Sequence, residues 1–321
     1  MTGSPPGAVT SLREAVRDAV GTLSEAGIDS AEFDAVALAA CALGTTTGEV
    51  RRLMIMGAPV PDGFNGLVAE RSRRVPLQHL TGKAGFRRLE LSVGPGVFIP
   101  RFETEQTAAL AIQHLRRARD AVTGSGAEPG AVPGTVPTLG GSGRAPSPGV
   151  RMVAVDLCTG SGAIALAIKD EVPAAEVHAV ELSELALAWA VQNRDELGLD
   201  VDLRLGDATL AFPDLEGEAD LVVSNPPYIP QGAIPNDPEV RDHDPAVALY
   251  GGSPDGLRIP LEVAARAAVL LRPGGLLVME HADVQGDSLS AALGTTGVWR
   301  DIQDHLDLNG RPRTVTAVRG T

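Results

Sequence analysis

The sequence predicts an α/β protein, a doubly wound parallel sheet preceded by a small helical domain and a β-hairpin joint, and three observations carry this expectation. From Met152 onward, short apolar runs alternate with segments of helical period, the pattern of strands joined by crossover helices. The first of these strands meets its helix in a glycine-rich turn, Asp156-Leu-Cys-Thr-Gly-Ser-Gly162. Ahead of both, four short stretches of helical period follow one another between residues 11 and 74. A chain of 321 residues, 44% of them hydrophobic, has room for more than one core.

Leu12, Ala15, Val16, Ala19, Val20 and Leu23 share one helical face, with Ser11 as N-cap and Gly27 as stop. Ser30 to Leu43 closed by Gly44, Thr47 to Met56 closed by Gly57, and Asp62 to Arg74 predict three more helices. Phe33, Leu38, Leu53 and Met54 are the expected core of this domain. Arg71, Arg73, Arg74, Lys83, Arg87 and Arg88 then gather in a stretch bounded only by Glu70 and Glu90. This local reversal of sign reads either as a solvated linker face or as a docking surface for a partner carrying acid or phosphate. Phe86 to Val93 alternates as a strand, Gly94-Pro95-Gly96 is a turn and Val97 to Ile99 a second run, which together predict a hairpin. Thr104 to Arg119 has helical period. Residues 123–149, dominated by Gly, Pro, Ser, Ala and Thr, cannot bury a core and predict a flexible insert. The expected division is 1–82 for the helical domain, 83–100 for the joint and 101–321 for the α/β domain.

Met152 to Leu157 is the first strand of that domain and Ala163 to Lys169 its helix. The glycine turn between them lets the backbone approach a ligand and aims N–H groups at it. Cys158 stands where a dinucleotide pattern has its first glycine. The next strand, Glu176 to Val180, ends at Glu181, the position of the acid that accepts ribose hydroxyls in doubly wound folds. Ser183 to Glu196 is a helix closed by Gly198, Val201 to Leu205 a strand, and Gly206-Asp207-Ala208 a turn. A plain surface role for Glu181 and a turn-forming role for Asp207 stand beside these readings. Ile229 to Pro245, rich in proline and acid, is expected as a loop, and His243 as a loop residue rather than a general base. Ile259 to Leu271 predicts a helix, Arg272 to Gly275 a turn, Leu276 to Met279 a strand leading into Glu280-His281, and Thr314 to Val318 the last strand. Glu280 and His281 are read as support behind a strand.

The chemistry concentrates in Asp220-Leu-Val-Val-Ser-Asn-Pro-Pro-Tyr228. Leu221 to Val223 reads as a buried strand, which Asn225-Pro226-Pro227-Tyr228 cannot continue, because two prolines remove two backbone donors and fix φ. The turn offers acceptors, the Asn225 side-chain oxygen and the Pro226 carbonyl, that suit the two hydrogens of a planar NH2 group, with Tyr228 over its face.

These four residues resemble the S-adenosylmethionine-dependent methyltransferases that act on planar nitrogen, adenine- and glutamine-modifying members alike. The chain from about Leu12 to Val318 resembles more narrowly the HemK/PrmC family of protein-(glutamine-N5) methyltransferases. That resemblance rests on Pro76-Leu-Gln-His-Leu-Thr-Gly82, the hairpin, Pro100-Arg-Phe-Glu-Thr-Glu105, Asp242 to Leu249 with Gly251 to Leu257, and Asp307 to Arg313. Phe102 replaces the family's usual proline, and Asp244-Pro245 a more usual Glu-Pro pair. The resemblance implies a Rossmann-like methyltransferase domain that holds S-adenosyl-L-methionine through Phe98, Arg101, Asp156, Cys158, Thr159, Gly160, Ser161, Gly162, Glu181, Asp207, Ala208 and Asn225. It implies substrate binding by Asn225, Pro226, Pro227 and Tyr228, with Asn225, Pro226 and Tyr228 catalytic, and substrate recognition by the N-terminal helical domain. The implied partner is a class 1 peptide chain release factor, methylated on the glutamine of its Gly-Gly-Gln loop.

Composition narrows the alternatives, which are a glutamine methyltransferase of a ribosomal protein, an adenine-N6 nucleic-acid methyltransferase, and a binding module without turnover. A formal net charge of -14 gives no overall positive field, and aromatic residues at 3% leave little stacking surface, so no direct nucleic-acid partner is expected. The intact Asn225 to Tyr228 set argues against a module without turnover. Cys41 and Cys158 predict no disulfide, and no His, Cys, Asp or Glu spacing predicts a metal. No apolar run reaches membrane-spanning length and the N-terminus has no basic start followed by an apolar segment, so the cytoplasm is expected; a monomer is a separate expectation.

Overall fold

The computed structural model describes residues 11–123 and 151–321; beyond Thr123, the insert expected over 123–149 lies outside them. The chain divides into two compact units, the first holding the residues up to Ala84 with Glu90–Ile99 and Ile234–Pro245, the second holding Gly85–Leu89, Pro100–Ala233 and Ala246–Thr321.

The first unit is built on α1 (Leu12–Glu25), α2 (Ala31–Leu43), α3 (Thr47–Ile55), α4 (Phe64–Ser72) and α5 (Leu77–Thr81). A capping box starts α1: Ser11 Oγ accepts from the Glu14 amide at 3.3 Å while the Glu14 carboxylate accepts from the Ser11 amide at 3.0 Å. Leu12, Leu23, Leu38, Val50 and Phe64 form a buried cluster against which Leu53 and Met54 are partly buried. Phe33, expected in this core, is instead 61% exposed. On α2 the inward stripe is Ala31, Asp34, Ala35, Leu38 and Ala39, and Phe33 precedes Asp34 by one residue, about 100° around the helix. The fourth helix is shorter than expected, entered through Gly63 at φ +81° and left before Arg74 at φ +69°. The turn of helix α5 has no counterpart in the sequence reading.

The hairpin pairs β1 (Lys83–Phe86) with β2 (Leu89–Ser92). The single strand expected over Phe86 to Val93 therefore contains the turn, made by Arg87, at φ +54°, and Arg88. Neither residue carries the usual glycine or asparagine signal, and the corner shows in the sequence only as a three-residue step from Phe86 to Leu89 in the apolar alternation. Val97 and Ile99 are buried but form no strand.

In the second unit α6 (Thr104–Thr123) precedes β3 (Met152–Leu157), α7 (Ala163–Glu171), β4 (Ala175–Glu181), α8 (Glu184–Leu197), β5 (Asp202–Leu205) and β6 (Ala219–Ser224). After the short α9 (Pro238–His243), which belongs to the first unit, come α10 (Arg258–Leu270), β7 (Leu271–Glu280), α11 (Gly286–Thr295), β8 (Trp299–Leu306) and β9 (Pro312–Arg319). Seven strands form one sheet in the order β5-β4-β3-β6-β7-β9-β8, parallel through β7 and antiparallel at β9 and β8. Every residue of β3 and of β6 is buried, as central parallel strands covered on both faces must be. The turn expected at Arg272 to Gly275 lies inside β7, where the register slips opposite Ala219–Leu221 and Gly274 takes φ +84°. Chain order reverses between β3 and β6, which opens a crevice at their C-terminal ends.

Five of the six basic residues of this stretch pair with acids of their own unit, Arg73 and Arg88 while remaining exposed. In the first, Arg71 is buried between Asp34 and Glu239, Arg74 reaches Glu239 at 2.6 Å, and Arg73 pairs with Glu70. In the second, Arg87 and Arg88 both reach Glu171, at 2.6 and 3.2 Å.

Candidate active site

The parallel register brings the expected residues to one edge. Leu157 stands opposite Val180 on one side and Ser224 on the other, and Glu181 opposite Leu205, so the residues that follow these strands share the C-terminal rim. Ser224 Oγ donates to the Leu157 carbonyl at 2.6 Å and ties the start of the Asn-Pro-Pro-Tyr turn to the start of the glycine turn.

The glycine turn is wound tightly. Cys158, Gly160 and Gly162 all have positive φ, at 67°, 59° and 84°. Thr159 donates its amide to the Val180 carbonyl at 3.0 Å, and the Ser161 carbonyl accepts from Asn193 of α8 at 3.0 Å. Glu181 accepts from the Gly160 amide at 2.8 Å and from the Ser183 amide at 2.9 Å, which fixes the acid at the rim, half-buried. Asp156 is buried; its Oδ2 accepts from Thr159 Oγ1 at 2.6 Å and from the Ala165 amide at 3.2 Å, while Oδ1 has no partner. Burial raises its carboxyl to about 7 against the pull of these hydrogen bonds, and the Glu181 charge adds to the rise. Burial also pushes the Cys158 thiol up, so it stays protonated and inert. Asp207 is exposed and accepts from the Thr209 amide and hydroxyl, both at 2.8 Å, in a local turn, with Ala208 buried beside it. Arg101, half-exposed, lies just before α6. Phe98 belongs to the first unit, where it is half-buried.

Asn225 leaves β6 half-buried and gives its Nδ2 to Thr104 Oγ1, at the start of α6, at 3.3 Å. Its other atom, Oδ1, is the acceptor that remains. Tyr228 donates its hydroxyl to Glu280 Oε1 at 3.3 Å, and burial with the neighbouring Glu280 charge pushes its phenol up. The main chain of the turn is clamped from behind. Gln285 Nε2 donates to the Tyr228 carbonyl at 2.9 Å and to the Asp255 carbonyl at 2.7 Å, and Ile229 donates to Leu249 at 2.8 Å. Gly256, at φ +76°, lies so close that a Cβ there would overlap the Tyr228 carbonyl oxygen. His281 is fully buried, with Nε2 within 3.1 Å of Asp304 Oδ1. Sequence reasoning missed Thr104, Thr107, Gly256 and Gln285. Thr104 and Gly256 lie within the Pro100–Glu105 and Gly251–Leu257 motifs, where no role was assigned to them, and Thr107 and Gln285 carry no local signal.

Residues 14–82 match the PrmC N-terminal domain and residues 147–237 the methyltransferase small domain. A release factor glutamine methyltransferase of Streptomyces coelicolor is 47% identical, covering 94% of this chain and 96% of its own. Another, of Mycolicibacterium smegmatis, is 43% identical over 97% and 99%. This chain belongs to the HemK/PrmC family of release factor glutamine methyltransferases. A further relative, the 4-amino-L-phenylalanine/4-methylamino-L-phenylalanine methyltransferase of Streptomyces pristinaespiralis, is 37% identical over 99% and 97%.

As a member of this family the chain is an S-adenosylmethionine-dependent methyltransferase, and the rim fits that cofactor. A Cβ at Gly160 would meet no heavy atom within 4 Å, so the turn opens onto space there. The buried, unpaired Asp156 Oδ1 lacks a donor, and the Glu181 carboxylate, half-exposed, keeps lone pairs for hydroxyls. Among the described residues no group of three or more His, Cys, Asp or Glu is placed to hold a metal ion, and no helix is long and apolar enough to cross a membrane.

Proposed function

We propose that the chain transfers a methyl group from S-adenosylmethionine to the side-chain amide nitrogen of the glutamine in the Gly-Gly-Gln loop of class 1 peptide chain release factors. The observation that carries this is the orientation of Asn225. With Nδ2 given to Thr104, the side chain offers an acceptor at the rim, beside the glycine turn, and an acceptor is what an amide NH2 needs.

Bound S-adenosylmethionine supplies a methyl group already activated by its sulfonium. The obstacle is the nitrogen, whose lone pair is delocalised into the amide carbonyl. Asn225 Oδ1 and the Pro226 carbonyl each accept one N–H, which turns the lone pair out of conjugation and favours a pyramidal nitrogen; Tyr228 covers the face of the group, and Pro227 holds the turn rigid. Once methylated the nitrogen is cationic and strongly acidic, so water takes its proton and no side-chain base is required. Phe98, Arg101, Asp156, Cys158, Thr159, Gly160, Ser161, Gly162, Glu181, Asp207, Ala208 and Asn225 are the residues we assign to the cofactor. Residues 1–82 would recognise the release factor, 83–100 join the two parts and 101–321 carry the chemistry. We infer a monomer that works in the cytoplasm without direct nucleic-acid contact, in keeping with the charge of -14.

Transfer of radiolabelled methyl to purified release factor, with RNA and ribosomal protein as competing acceptors, tests this. Label appearing only in the release factor, and lost when its loop glutamine is replaced, is the expected result. The relative that acts on 4-amino-L-phenylalanine favours a second reading, an aryl amine acceptor, because that NH2 is also planar. Adding 4-amino-L-phenylalanine as a fourth acceptor separates the two.

A further inference from the structure

One side chain behind the Asn225–Tyr228 turn commits each of its polar atoms to main chain. Gln285, 3% exposed, is the N-cap of α11, on the connection that leaves the C-terminal end of β7. β6 and β7 are adjacent, with Ser224 opposite Met279, so the residues that follow both strands meet on the same rim. Gln285 Nε2 gives one hydrogen to the Tyr228 carbonyl at 2.9 Å and the other to the Asp255 carbonyl at 2.7 Å, while Oε1 accepts from the Ala282 amide at 2.9 Å. A flipped amide would set its oxygen against two carbonyl oxygens and its NH2 against an N–H, so the network fixes the orientation. The base of the side chain is held as well. The Gln285 amide donates to the Ala282 carbonyl at 2.8 Å, and at the next residue a Cβ on Gly286 would overlap Asp304 Oδ2.

The two carbonyls that Gln285 binds belong to one braced piece of chain. Ile229 donates to the Leu249 carbonyl at 2.8 Å and accepts from the Gly251 amide at 2.9 Å. Farther along the same loop, Asp255 Oδ1 accepts from Ser253 Oγ at 2.6 Å and from the Leu257 amide at 3.1 Å. Between Asn225 and Tyr228 few torsions are soft. Pro226 and Pro227 fix two φ angles, and each proline confines the ψ of the residue before it, Asn225 and Pro226. A shift of the Tyr228 main chain is therefore carried to the Pro226 carbonyl and to Asn225 rather than absorbed between them.

Resting on the functional reading above, we propose that Gln285 is a positioning residue for methyl transfer. It holds the Asn-Pro-Pro-Tyr turn, as one piece with the Gly251–Leu257 loop, to the end of β7, and so fixes where the two acceptors for the substrate NH2 stand. Transfer is sensitive to that placement, since a displacement of about 1 Å between reacting groups costs roughly a hundredfold.

The test is single-turnover methylation of release factor by the whole chain, with active sites counted by calorimetric binding of S-adenosylmethionine. Gln285→Met keeps the length and removes both donors; Gln285→Glu keeps the acceptor for Ala282 and leaves at most one hydrogen for the two carbonyls. We expect both variants to transfer methyl about tenfold more slowly at saturating cofactor and release factor, with cofactor affinity and half-saturation by release factor within about twofold of the parent's. Because Gln285 acts through the turn that carries Asn225, the two losses are not additive: Gln285→Met slows an Asn225→Ala chain by less than about threefold. A parental rate at saturation in either variant, a defect confined to half-saturation or cofactor affinity, or a full tenfold loss in the Asn225→Ala background would overturn the positioning role and leave the functional reading in place. A parent chain that leaves the glutamine unmethylated would overturn that reading and the positioning role together.

Discussion

Glu239 places Oε1 2.7 Å from Nη1 of Arg71, a residue 168 positions earlier whose Nε is held by Asp34, also at 2.7 Å. All three side chains are nearly buried, with Arg74 as a second cation on Glu239 at 2.6 Å. The set balances two cations against two carboxylates and anchors Ile234–Pro245 within the first unit. A buried pair is weak evidence of net stability, but removing one partner strands the others in low dielectric. Arg71→Ala should therefore cost about 3 to 5 kcal/mol in urea unfolding. A loss below about 1 kcal/mol, the range of exposed pairs, would show that water reaches the set and screens it.

Gly256 is required by close approach. Its φ of +76° disfavours any side chain, and a Cβ would overlap the Tyr228 carbonyl and crowd Gln285 Nε2. Gly256→Ala must push back the turn that carries Asn225. We expect a loss of about 2 kcal/mol or more, from the left-handed backbone and the overlap together, with methylation slowed more than stability alone explains. Thermal unfolding beside single-turnover rates distinguishes this from a Gly256 that merely fits its loop.

Glu280 makes stability depend on pH with a definite sign. Burial raises its carboxyl to about 7, against hydrogen bonds from Thr104, Tyr228 and Thr107 and the Arg313 charge. A folded-state value above the unfolded one means that the native state holds the extra proton between about pH 4.5 and 7. The stability this gives is complete below about 4.5 and is lost as pH rises through 7, a change on the order of 3 kcal/mol. Asp156, also raised to about 7, acts in the same direction. Glu280→Gln should be less stable than the parent at pH 4.5 by the loss of an acceptor, and should gain on it by about 3 kcal/mol by pH 8. Parallel pH curves from urea unfolding would show that Glu280 titrates as it does in the unfolded chain.

Elements fixed by neighbours in sequence were legible without the structure. The strand, glycine turn and helix from Met152, the acid closing β4 and the proline stop after β6 each depend on local backbone chemistry. What stayed hidden depends on distant partners. Phe33 was the natural core residue of an alanine-rich helix, yet the inward position next to it belongs to Asp34, whose cation arrives from Arg71, 37 residues away. The Arg87–Arg88 corner lacks a turn residue, and β8 is mostly exposed and carries little apolar period. At the candidate site the Asn-Pro-Pro-Tyr segment announces acceptors, but the partner that holds the Asn225 amide is Thr104, 121 positions before it.

Asn225 carries the role that no neighbour can take over. Asn225→Ala removes one of the two acceptors proposed for the substrate NH2 and leaves the nitrogen to relax into conjugation. It also leaves Thr104 without its Asn225 donor. By comparison with deleting one preorganised hydrogen bond in other active sites, the cost should be about 3 kcal/mol in the chemical step, or roughly a hundredfold in rate. Asn225→Asp is the sharper variant. It keeps the shape, but the introduced carboxylate has no N–H for Thr104. Both variants should bind S-adenosylmethionine within about tenfold of the parent, because the glycine turn and Glu181 are untouched. Single-turnover methylation of release factor at saturating cofactor, set beside calorimetric cofactor binding, decides the matter. Parental transfer by Asn225→Ala once cofactor saturates would make Asn225 a binding residue only, and the lone-pair orientation assigned to it would be wrong.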